Sequence, residues 1–313
     1  ELSNVCKVAL EQSIHVEPMY DAILVDEAQD LSASFLNLCY KLLKEPKRLV
    51  YAYDELQSLG GSSLPPPEEI FGLDSGGRPL VSFDETKPGE PKQDIILEKC
   101  YRNSRPVLAT AHALGFGIYR TPEKHETTGL IQMFDQRELW LDVGYKVISG
   151  ELDDNKNVCL TRTEESSPSF LENHSEISEL IQFYHFNTPA EQDDWLANQI
   201  EMNLSFDELQ PDDIIVINPD PFTTRSYVGA VRKKLFDKSI QTHLAGVDTS
   251  PDIFFDESGD SIAFTGIYRA KGNEAVMVYI INAQDCFFSW GGLATVRNQI
   301  FTAITRSKAW VRV

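Results

Sequence analysis

The chain has no Gly-Lys dipeptide, no Cys-x-x-Cys and no histidines at metal-ligand spacing. The first absence removes the phosphate-cradling loop Gly-x-x-x-x-Gly-Lys-[Ser/Thr] from these 313 residues. The other two argue against a zinc module. The five cysteines, Cys6, Cys39, Cys100, Cys159 and Cys286, are odd in number and far apart, and read as buried free thiols of a cytosolic protein. No apolar run approaches the length of a membrane span and the first residues do not resemble a secretory leader, so no membrane partner is expected and the predicted location is cytoplasmic. Basic residues are scarce: 28 Lys and Arg face 48 Asp and Glu, a net charge of −20 that argues against indiscriminate polyanion binding. The deficit is uneven. Residues 151–213 hold 16 acidic and 2 basic side chains, whereas 286–313 carry Arg297, Arg306, Lys308 and Arg312 and no acid. The start at Glu1 and the end in the strand-like Trp310–Val313 are both expected to be cuts, leaving a fragment of a longer protein.

With 42% hydrophobic and 10% aromatic residues, the chain is globular and long enough for two domains. Its most informative stretch is Ala22-Ile-Leu-Val-Asp-Glu-Ala-Gln-Asp-Leu31. The apolar residues predict a buried parallel strand, and the carboxylates emerge at its C-terminal end, where open α/β sheets bind ligands. An Asp there can hold Mg2+, and the adjacent Glu can orient or deprotonate a water. Such a strand followed by Asp-Glu is a Walker B element; the competing reading is a strand that ends in a solvated acidic turn.

A helical lead-in is predicted over 1–20, an amphipathic helix over 31–44 capped by Asp30 or Ser32, and a second strand at 48–53. Strand, helix and strand at this spacing form a βαβ unit. The Gly-, Pro- and Ser-rich residues 58–93 read as a long loop at a domain junction. A short strand at 95–100 opens the second domain, followed by a helix from Ser104 to Gly115. Residues 120–186 are mixed, partly helical and acidic, and read as an insertion expected to supply nothing to a nucleotide site. Helices at 190–204, 225–238 and 293–304 and strands at 213–218, 261–266, 276–282 and 309–313 complete a second α/β sheet. The predicted boundaries are 1–93 and 94–313.

Further segments bear chemistry. An amide just past a strand end, as in Tyr51-Ala-Tyr-Asp-Glu-Leu-Gln57, can sense a γ-phosphate. Tyr101-Arg102 pairs a ring for stacking with a guanidinium that forks onto phosphate oxygens. Tyr268-Arg-Ala-Lys-Gly-Asn-Glu274 puts a Gly turn before an acid able to accept ribose hydroxyls, and Ala303-Ile-Thr-Arg306-Ser-Lys308 ends a helix with a second guanidinium. Taken singly, each is more readily a solvated surface feature.

In this order, Val-Asp-Glu-Ala-Gln-Asp, Tyr-Asp-Glu-Leu-Gln, Cys-Tyr-Arg-Asn, Arg-Ala-Lys-Gly-Asn-Glu and Ala-Ile-Thr-Arg-Ser-Lys resemble motifs II to VI of the UvrD/Rep/PcrA superfamily 1 helicases, over residues 20–60, 95–119 and 186–313. The resemblance implies an α/β fold of two RecA-like parallel-sheet domains, the first incomplete, with a partly helical insertion in the second. It implies ATP and Mg2+ as cofactors and movement on single-stranded DNA, 3′ to 5′, with RNA as a possible substrate. Asp26 is then the metal ligand and Glu27 the residue that activates water. Gln57 senses the γ-phosphate and Tyr101 stacks on adenine. Arg102 and Arg306 are arginine fingers, and Glu274 holds the ribose. The isolated fragment, lacking motif I, is expected to be inactive. Motif III lacks its usual aromatic, since Leu59-Gly-Gly follows Gln57-Ser58, which weakens the case for base stacking there. The 120–186 segment is also shorter than the large helical insertion of well-known members. The alternative reading is an ATP-regulated interaction or signalling module of a multidomain protein, with a fused or partner nuclease. Oligomeric state is left open.

Overall fold

The computed structural model describes residues 2–12, 16–59, 64–83, 92–116, 138–153, 156–248, 260–287 and 293–313. The chain divides into two compact units, the first essentially Glu1–Ile96 and the second running from Leu97 to Val313 apart from 127–130.

In the first unit, β1 (Ile23–Val25) pairs in parallel with β2 (Leu49–Tyr51), with Ile23 opposite Leu49 and Val25 opposite Tyr51. The helix between them, Ala33–Leu42, begins where the Ser32 hydroxyl accepts the Phe35 N–H at 3.3 Å. Leu36 of that helix packs with Val25, Ala28, Ile70 and Phe71 on one face of the pair. The expected full burial of β1 does not occur. Leu24 is 79% exposed, because only one face of this two-stranded ladder is covered among the described residues. The expected loop at 58–93 contains a short helix, Pro67–Phe71, started by a proline and ended at Gly72 with φ 88°.

The second unit is built on a six-stranded parallel sheet in the order β5-β10-β9-β6-β8-β7. These strands are β5 (Ile181–Gln182), β6 (Ile214–Asn218), β7 (Thr242–Leu244), β8 (Ile262–Gly266), β9 (Ala275–Ile280) and β10 (Ser307–Arg312). The central β6, Ile-Ile-Val-Ile-Asn, is buried at every position, as a parallel strand covered on both faces must be. Helix Pro189–Ser205 starts with Thr188 capping Glu191 N–H and proline in its first turn. Its Leu196 and Ile200 pack with Val228, Val231 and Leu235 of helix Thr224–Asp237 against β6, β8 and β9. The mixed α/β class and the parallel sheet of the second unit are therefore as expected.

Two differences bear on the site. Residues 95–100 enter no ladder, and Leu97 is exposed. Two of their backbone groups find partners elsewhere: Cys100 N–H donates to Ser166 O at 2.8 Å and Glu98 O accepts from Arg162 at 3.2 Å. Within the expected insertion, the antiparallel hairpin β3 (Tyr145–Gly150) and β4 (Val158–Arg162) stands outside the main sheet. Residues 181–182, however, form the sheet's edge beside β10. None of the cysteines forms a disulfide; Cys6, Cys39 and Cys286 are buried, but Cys159 is exposed. Among the described residues no helix is long and apolar enough to cross a membrane.

Candidate functional site

The first unit carries an acidic sheet edge. Because β1 and β2 run parallel, the residues that follow them, Asp26–Asp30 and Tyr53–Gln57, leave the ladder at the same end. Asp26 Oδ1 accepts the Glu27 N–H at 2.9 Å, and Glu27 adopts a left-handed conformation, φ 52°. The buried Gln29 joins the two segments. Its Nε2 donates to Glu27 Oε2, and its Oε1 accepts the Asp54 N–H at 3.0 Å. Asp54 Oδ2 in turn accepts from Gln57 Nε2 at 2.7 Å. Side chains thus link Glu27 to Gln57, two residues the sequence singled out, through Gln29 and Asp54, to which it assigned no separate role.

The second unit carries a cleft of about 610 Å³. Tyr101, Arg102, Glu274 and Lys308 line it, drawn from segments far apart in the chain. Tyr101 is 80% exposed, with the Lys99 ammonium 5.4 Å from its ring centroid. Arg102 Nε lies 2.5 Å from Glu274 Oε2, and its Nη1 donates to Thr305 O at 3.3 Å. Lys308 Nζ is 3.1 Å from Glu274 Oε1. Burial alone would raise the Glu274 carboxyl, but the Lys308 hydrogen bond and the Arg102 charge outweigh it and hold the group below its ordinary value. The Gly272 turn, φ +86°, delivers Glu274 to the start of β9. The register that pairs Ser307 with Ala275 then brings Lys308 beside it.

Arg306 is not in the lining. It is 2% exposed, and its guanidinium turns onto the C-terminal end of helix Leu293–Ile304, donating to Thr302 O at 3.1 Å and Thr305 Oγ1 at 3.4 Å. Arg102 touches the backbone of its neighbour Thr305, so the two motifs meet, while only one of the two guanidiniums lines the cleft.

The segment 120–186 was expected to stay away from this site, yet Pro168, Phe170 and Leu171 line the same cleft. They arrive there because Arg162, at the end of the hairpin, fastens it to the segment that leads to Tyr101 and to the turn after β4, donating to Val143 O at 2.7 Å and Ser166 O at 2.9 Å as well as to Glu98 O. Arg105 adds a bidentate pair to Glu172. No local pattern announced these three residues. Lys308 had a legible signal, the in-out alternation of β10 (buried, exposed, buried from Ser307).

Among the described residues no group of three or more His, Cys, Asp or Glu is placed to hold a metal ion by itself. A nucleotide-bound Mg2+ asks for only one or two carboxylates, so the single Asp26 fits that use.

No model of a known protein family matches this sequence, and no curated protein does. Among solved structures, the C-terminal domain of a possible DNA helicase from Lactobacillus plantarum is similar at 17% identity and TM-score 0.31, over 45% of this chain and 75% of that one. The Hef helicase domain of Pyrococcus furiosus is similar at 9% identity and TM-score 0.33, over 99% and 74%. Likenesses this distant carry no functional argument.

Proposed function

We propose that the chain is part of an ATP-dependent helicase or translocase of the superfamily 1 type, acting on single-stranded DNA. The observation that carries the reading is the convergence of Tyr101, Arg102 and Glu274 on one cleft. An exposed ring, a fork-shaped cation and a carboxylate are what a base, a phosphate and a ribose require. Asp26 would hold Mg2+ and Glu27 would orient and deprotonate the attacking water, with Gln57 near the reacting phosphate. Tyr101 would stack on the base, Glu274 would accept from the ribose, and Arg102 and Arg306 would neutralise phosphate charge. For Arg306 this requires leaving its helix-end contacts. ATP with Mg2+ supplies the phosphoryl group and much of its charge neutralisation.

The test is phosphate release with and without a single-stranded oligonucleotide. These 313 residues alone are expected to show none, because they contain no phosphate-cradling loop. A polypeptide that joins this chain to such a loop is expected to turn over ATP, faster with the oligonucleotide, and Glu27→Gln should abolish turnover while retaining binding. Undiminished turnover in Glu27→Gln would overturn the assignment.

A further inference from the structure

Two cations, Arg102 and Lys308, flank a single carboxylate in the second unit's cleft, one at each of its oxygens. Lys308 Nζ sits 3.1 Å from Glu274 Oε1. The Arg102 Nε lies 2.5 Å from Oε2, yet this buried nitrogen has no acceptor in hydrogen-bond alignment, and the guanidinium's one aligned bond to Thr305 O is 3.3 Å long. Arg102 is charge-compensated but poorly satisfied as a donor. The buried Ser104 hydroxyl, which lines the same cleft, also has no partner among the described residues. The charged lining residues leave an excess of one positive charge beside these unspent donors.

We propose that Lys308 is a positioning residue: it holds Glu274 alone, so that Arg102 can leave the carboxylate for the phosphate of a nucleotide in the cleft. The planar guanidinium suits this exchange, because it forks onto two phosphate oxygens, whereas the ammonium is a point charge that loses nothing by staying with the acid. Without Lys308, Glu274 would be a carboxylate with one counter-ion, and releasing Arg102 would strand a negative charge beside the incoming phosphate. The proposal rests on the nucleotide reading of the cleft given above.

The experiment measures adenosine, AMP and ADP binding to the intact 313-residue chain by ligand-detected NMR, which reads millimolar affinities. The quantity of interest is the phosphate increment, the ratio of AMP to adenosine affinity. One charge-assisted hydrogen-bond pair makes it about tenfold in the natural chain. In Lys308→Met the increment should fall below about twofold with adenosine affinity little changed, and Lys308→Arg should restore much of it. In Glu274→Gln nothing detains Arg102, so adding Lys308→Met there should leave the increment intact. If Lys308→Met lowers the increment equally in both backgrounds, Lys308 touches phosphate directly and the positioning role is wrong. An unchanged increment in Lys308→Met also refutes it while leaving the cleft a nucleotide site. If the natural chain binds none of the three ligands, this proposal is wrong, because it seats the phosphate on the second unit's cleft alone; the nucleotide reading itself is decided by the phosphate-release test above.

Discussion

Replacing Gln29 by leucine should loosen the acidic edge of the first unit without disturbing the second. Gln29 is nearly fully buried, and its amide serves two backbone segments that share no ladder bond beyond Ala52: it donates to Glu27 Oε2 and accepts the Asp54 N–H at 3.0 Å. Leucine keeps the volume and removes both functions. The Glu27 side is cheap to lose, since that carboxylate is exposed and water can replace the donor. The Asp54 N–H is half-buried, and leaving a backbone donor without its acceptor there costs about 1–2 kcal/mol. Because the two units need not unfold together, a global midpoint is the wrong observable. Amide hydrogen exchange resolves the effect locally: the Asp54 N–H should exchange roughly 5–30-fold faster. The Cys100 N–H, bonded to Ser166 O in the second unit, should be unchanged. Gln29→Glu separates the two halves of the bridge. It retains an acceptor for Asp54 but sets a carboxylate against Glu27, so its damage should shrink in acid as one of the pair takes a proton. Equal exchange at Asp54 in the natural chain and in Gln29→Leu would refute the bridge as the element that joins these segments.

Two further outcomes follow from buried groups of the second unit. His112 is buried, bonded at 2.8 Å to the Tyr145 hydroxyl, and burial followed by the nearby Arg162 charge pushes its pKa down to about 3. Folded His112 stays neutral while the unfolded residue protonates below its ordinary 6.5, so its stability contribution is complete above pH 6.5 and is lost as pH falls toward 3. The slope is up to about 1.4 kcal/mol per pH unit. The urea transition of the second unit, followed from pH 7 to 5, should show a steeper decline in stability in the natural chain than in His112→Gln, and identical slopes would contradict this. Arg162→Met should cost about 3 kcal/mol or more, because the buried guanidinium serves Val143 O, Glu98 O, Ser166 O and Ser167 Oγ. Exchange at Cys100 should accelerate with it, and an unchanged rate there would show that the hairpin does not brace the segment leading to Tyr101.

Much of the second unit was determined by sequence alone, for reasons of period and punctuation. Ile214–Asn218 and Ala275–Ile280 are apolar runs too short for helices and buried on both faces, so a parallel sheet is the one arrangement that suits them. Thr188-Pro189 marks the start of a helix whatever surrounds it. The motif residues Tyr101, Arg102 and Glu274 were likewise legible as chemistry-bearing types beside turns. Their meeting was not, because it depends on strand order and register across the sheet. Pairing Ser307 with Ala275 makes Lys308 a neighbour of Glu274, and no local pattern states which strands become neighbours. Residues 95–100 have the composition of a strand but find no partner strand among the described residues, and Arg162 and Ser166, at and just after the end of a distant hairpin, bond to Glu98 O and Cys100 N–H instead. Phe170 enters the cleft by the same hairpin anchoring, and Arg306, which the sequence offered as a second arginine finger, lies against the end of its own helix. Local propensity and residue chemistry are written along the chain, whereas which polar group satisfies which is decided only when distant segments are packed and each buried donor must take the acceptor that packing leaves it.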